Sequence, residues 1–96
     1  MSRAFIREDG AAPERRYVLP DVDDPAYDAA AADALLRGAH EGDTASAEEA
    51  TGFRWGDPHL VPHVRAILAD ARRRRLDRLE VLAERYLRAA GVEPED

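Results

Sequence analysis

Ninety-six residues, 45% of them hydrophobic, with a formal charge of −6 and no cysteine, describe one domain with one core and exclude disulfide staples, thiolate nucleophiles and sulfur-bound zinc. No apolar run approaches the ~20 residues of a membrane span, and the opening Met1–Ile6 lacks the long apolar stretch of a secretory signal, so a cytoplasmic protein away from membranes is expected. Much of the apolar content is alanine, so the core is expected to be thin and to depend on close helix packing or on a covering partner.

Charge is unevenly placed. All 14 basic residues are arginine; residues 1–57 carry 6 of them against 13 Asp and Glu, whereas residues 58–92 carry 8 against 4. An overall acidic chain repels nucleic acid, so direct nucleic-acid binding is not expected despite the basic half.

In chain order, residues 1–23 show neither a 3.6 nor a 2.0 apolar period and are punctuated by Gly10, Pro13 and Pro20. They are expected to form an extended leader, with Tyr17, Val18 and Leu19 suited to lying across helices. Asp24 as N-cap and Pro25 in the first helical position predict a helix to His40, ended by Gly38 or Gly42. Tyr27, Ala31, Leu35 and Ala39 recur on it at four-residue steps, with Ala32 and Leu36 beside them.

A second, two-turn helix is predicted from Asp43-Thr44 to a left-handed cap at Gly52. Phe53-Arg54-Trp55-Gly56 makes a corner, and Asp57-Pro58 repeats the start signal. Pro62 then requires either a short turn ahead of it or a helix that begins at Pro62 itself. His63 to Ala90 contains neither glycine nor proline, and Val64, Ile67, Leu68, Ala71, Leu76, Leu79, Leu82, Ala83, Tyr86 and Leu87 return at helical spacing. Whether this stretch is one helix or two turns on Arg72 to Arg75, where the apolar stripe lapses and like charges repel. The expected fold is therefore all-α: a helical hairpin or three to four helices over 24–91, an extended leader over 1–23, and a frayed acidic tail over 92–96.

Several residue groups are candidates for function, each with a plainer structural reading. Arg72, Arg73 and Arg75 form a basic strip fit to dock an acidic protein surface; the plainer reading is a solvated face laced with Asp70, Asp77, Glu80 and Glu84. Phe53, Arg54 and Trp55 are residue types enriched in binding hot spots, yet a small domain commonly tucks its single tryptophan into the core. His59 and His63 stand at metal-binding spacing, with Asp57 and His40 nearby in sequence, but they lack the intervening glutamate of a zinc protease and read as surface or capping residues. No metal, cofactor or enzymatic activity is expected, since no nucleophile-base-acid set and no glycine-rich phosphate loop is present.

The opening Met1-Ser2-Arg3-Ala4-Phe5-Ile6-Arg7-Glu8-Asp9 resembles the leader of bacterial Gre-family transcription elongation factors. Ala39 to Glu49, with Gly42-Asp43 followed by Glu48 and Glu49, is similar to the acidic tip of that family's helical hairpin. In the family the tip enters the secondary channel of RNA polymerase, where its carboxylates help hold the catalytic magnesium. Asp43 matches the first tip acid. Ser46 stands at the second, and Glu48 and Glu49 replace it only after a register shift. The resemblance covers about 20 residues and includes no counterpart of the family's β-rich C-terminal domain. A helix from Pro25 to His40 would span about 24 Å, short for a probe of a buried site. The resemblance thus implies a transcription-associated setting more than cleavage activity. The reading that results is a small helical accessory protein acting through protein contacts, with RNA polymerase as the implied partner. Its rival is a helical interaction or oligomerisation module without a link to transcription.

Overall fold

A computed structural model describes residues 17–94. It contains α1 (Tyr27–His40), α2 (Thr44–Thr51), a 3-10 turn (Pro58–Leu60), α3 (Val61–Arg74) and α4 (Asp77–Ala89). The all-α fold expected from the sequence is what forms, with no strand among the described residues.

Helix α1 is the hub, packing against α2, α3, α4 and the 3-10 turn. Of its buried residues Ala31, Ala32, Ala34, Leu35, Leu36 and Gly38, Ala34 and Gly38 fall outside the stripe expected from Tyr27, Ala31, Leu35 and Ala39 with Ala32 and Leu36 beside it, because the helix has neighbours on more than one side. Small side chains permit this. At Gly38 an added Cβ would lie 2.7 Å from the Ala47 Cβ of α2, so the two helices meet there almost backbone to backbone. The remaining core comes from Leu60, Val64, Leu68, Leu82, Ala83, Tyr86 and Leu87. Each buried leucine contributes on the order of 2 kcal/mol.

Helix α1 starts two residues later than Pro25. Asp24 closes a turn first, its Oδ1 accepting from the Ala26 N–H (2.8 Å) and its carbonyl from Tyr27 N–H (2.9 Å). Helix α2 has the expected ends: Asp43 accepts from Ser46 N–H, and Gly52 takes φ 82°. The 3-10 turn is the short turn that Pro62 requires, with Asp57 accepting from His59 N–H. Pro62 then sits in the first turn of α3, where its missing N–H costs little.

The long C-terminal stretch is two helices. Arg75 adopts φ 58°, and Leu76 N–H donates to Ala71 C=O (2.9 Å), the long-range bond of a Schellman C-cap. Helix α4 ends at a similar cap: Gly91 takes φ 84° and Val92 N–H reaches Leu87 C=O (3.0 Å). Past α4, Val92 packs against the core, Glu93 is exposed and Pro94 is buried, while residues 95–96 lie outside the described part. In the leader, Tyr17 is buried and Leu19 packs on the core, while residues 1–16 lie outside the described part. No helix among the described residues is long and apolar enough to cross a membrane.

Candidate functional site

The break between α3 and α4 sorts the arginine run by role. Arg72 donates from Nε to Glu80 Oε2 (3.2 Å) and from Nη2 to Glu84 Oε2 (3.0 Å), which ties α3 to α4. Arg73 and Arg74 both hold Asp70, at 2.8 and 3.0 Å. These three guanidinium groups serve carboxylates within the same hairpin. Arg75, turned away by its left-handed backbone, has no carboxylate partner among the described residues, and neither does Arg78 on the first turn of α4. The strip expected to act as a unit is thus divided, with Arg72 and Arg73 internally engaged and Arg75 available.

Arg75 and Arg78 stand at the edge of a groove of about 540 Å³ between α1 and the α3–α4 corner. Its floor is Leu36, Leu79 and Leu82, and Leu76 forms its lip. Leu36 and Leu82 are buried, Leu79 is half-buried, and Leu76 is 37% exposed. The α1 wall carries Asp33, Arg37 and His40, and Asp77 completes the corner. Asp33 is engaged by Arg37 at 2.7 Å. Apolar surface open to water beside unmatched cations is chemically suited to a ligand that is apolar on one face and anionic beside it.

The spacing of Leu76 places it in the core stripe, but it is exposed at the groove because the break at Arg75 takes it out of the helical register. The run of four arginines is the sequence signal of that break, but nothing in it says which of them carries the left-handed turn. Sequence reasoning gives Arg37 and Leu79 no site role, and weighs His40 only as a metal ligand and Arg78 only as a continuation of the arginine run. They come from helices distant in sequence, and only the packing of α1 on α4 brings them together.

The two rings of the Phe53–Trp55 corner pack on the body of the domain. Phe53 stacks on His59 (5.6 Å between ring centres, 9° between planes) and lies 6.5 Å from Tyr27. Trp55 meets Tyr86 edge-on at 5.0 Å. Both rings are half-buried against the core, while Arg54 is exposed. Trp55 also lines a smaller depression, about 420 Å³, with Ala39, Thr44, Leu82 and Arg85. The two depressions share Leu82, which places Trp55 and Arg75 along the same α1–α4 seam.

Tyr86 fixes this corner to α4. Its hydroxyl donates to Asp57 C=O at 2.9 Å. Burial, reinforced by the Asp57 charge, pushes its pKa up to about 12.

The acidic segment 43–49 is largely occupied. Asp43 accepts from Ser46 N–H (3.2 Å) and Ser46 Oγ–H (2.8 Å) as the cap of α2. Glu48 Oε2 accepts from Trp55 N–H at 2.8 Å, bracing the corner. Glu49 is exposed. His59 Nε2 lies 2.8 Å from Asp28 Oδ2, joining the 3-10 turn to α1, and His63 is half-buried on α3. Among the described residues no three His, Asp or Glu side chains are grouped to hold a metal ion.

Comparison with known protein families, with characterised proteins and with solved structures finds no match.

Proposed function

We propose that this domain is a non-enzymatic, cytoplasmic protein-binding module that receives a segment of its partner in the groove between α1 and the α3–α4 corner. The observation that carries the reading is a groove in which Leu76, 37% exposed at its lip, and half-buried Leu79 stand open above buried Leu36 and Leu82. In so short a chain an uncovered apolar groove is costly to keep unless something fills it. The transcription-linked form of the proposal, with RNA polymerase as partner, is supported by the resemblance of residues 1–9 and 39–49 alone. The uses of Asp43 as a helix cap and Glu48 as a brace favour a partner-binding role over a metal-holding one.

Affinity capture from native cell extract with the wild-type chain and with Leu76→Asn tests both forms. Leu76 is the N-cap of α4 and makes no capping hydrogen bond, so asparagine there preserves or improves the helix start while placing a polar group in the groove. The expected result is loss of specific partners from the variant at an unchanged melting temperature. RNA polymerase subunits among the lost proteins would support the transcription-linked form. Recovery of the same proteins by both chains would remove the groove from the function.

A further inference from the structure

The chemistry of the groove's edge narrows what fills it. Arg75 is the one non-glycine residue with positive φ among the described residues (58°), at a C-cap position where glycine is usual and a side chain costs roughly 1 kcal/mol. The arginines before it bind Glu80, Glu84 and Asp70. Arg75 spends its conformational cost on a guanidinium that has no carboxylate partner there, and Arg78 stands beside it at the same edge. Asp33 is matched by Arg37, so against Asp77 the edge keeps one net positive charge on a chain of −6.

Resting on the groove reading above, we propose that the occupant is an acidic amphipathic helix of a partner protein, its aliphatic anchors on the leucine floor and its carboxylates on Arg75 and Arg78. A floor of leucines without an aromatic ring suits branched aliphatic anchors rather than a polyproline ligand, which docks on aromatic grooves. Strand addition needs a sheet edge, and the described residues form no strand. The groove's ~540 Å³ has room for more than one anchor, as successive residues at i, i+3 or i+4, and i+7 of a helix would supply.

The test uses the full chain and two synthetic, alanine-based helical peptides of about 18 residues. Both carry leucine at i, i+4 and i+7; glutamate flanks the leucines in one and lysine in the other. In fluorescence anisotropy the glutamate peptide should bind roughly tenfold more tightly or better. Leu76→Asn should weaken both peptides. Arg75→Gly combined with Arg78→Ala should erase the preference for glutamate, while Arg75→Gly alone raises the melting temperature by relieving the backbone. Stability that rises as affinity falls separates a binding role from a structural one.

Equal affinity for the two peptides overturns the acidic partner and leaves the groove reading standing. Binding that survives Leu76→Asn overturns both. No binding of either peptide overturns the helical occupant, and a labelled single-stranded oligonucleotide that binds instead, and is released by Arg75→Gly, would reassign the arginines to phosphate. A chain that dimerises in sedimentation, and does so only with Leu76 intact, would make a second copy the occupant and likewise overturn the proposal.

Discussion

Gly38 shows how far one missing methyl group shapes this protein. In the interior of α1, glycine costs about 1 kcal/mol relative to alanine, so local propensity argues for replacing it. Packing argues the other way: a Cβ would sit 2.7 Å from Ala47 Cβ, 3.1 Å from Asp43 C=O and 3.2 Å from Tyr17 Oη. Overpacking of this kind costs about 1–3 kcal/mol, and here backbone and a capping residue stand among the atoms that must yield. Gly38→Ala should therefore lose about 2 kcal/mol in urea denaturation, and adding Ala47→Gly should restore only part of it because two of the three contacts remain. A stabilised Gly38→Ala would mean that α1 and α2 are free to separate. From the sequence Gly38 was one of two candidate helix terminators, because a glycine chosen for absent volume and one chosen for positive φ are written with the same letter.

At the scale of elements, Tyr86 makes the attachment of α4 to the Trp55–Asp57 corner sensitive to alkali. Its folded pKa of about 12 exceeds the ordinary tyrosine value of 10.0, so the folded state holds the proton more tightly. The associated stability is complete below pH 10 and is lost as pH rises through 10 toward 12, by up to about 1.4 kcal/mol per unit. Tyr86→Phe loses the hydrogen bond to Asp57, about 1 kcal/mol at neutral pH, but escapes this penalty. Its deficit should shrink above pH 10 and reverse before pH 12. The chain has no lysine to titrate across that window, and parallel stability curves for the two proteins would refute the assignment. The elements themselves were well signalled. Asp43 and Gly52 mark both ends of α2, and Asp57, Pro58 and Pro62 mark the passage from 3-10 turn to α3, because capping and proline chemistry act over a few residues. The start of α1 moved by two residues because Asp24 has a choice of nearby amides. The α3–α4 break stayed open because arginine repulsion favours fraying anywhere along the run, while the Ala71–Leu76 hydrogen bond locates it.

At the scale of the molecule, the helical class was legible and the site was not. Leu36, Leu79 and Arg75 become neighbours only through the packing of α1 on α4, and a thin alanine core leaves no periodic mark of which face stays open. Arg72 and Arg73 differ from Arg75 only in what the fold brings within reach. The two-residue link through Arg75 and Leu76 also bears on how the chain acquires its structure. Helices α3 and α4 pack against each other across a very short loop, so their association has little closure entropy to overcome, and the Arg72 bridge to Glu80 and Glu84 draws on residues close in sequence. The hairpin is thus placed to form early, with α1 docking onto it. Helix α2 packs mainly on α1 and has least to hold it before α1 arrives. In native-state hydrogen exchange, α2 amides should open at a lower free energy than those in the middle of α3 and α4. Leu68→Ala, within the hairpin, should slow refolding, and Ala47→Gly should chiefly hasten unfolding. The opposite assignment of the two rates would place the nucleus in α1 and α2.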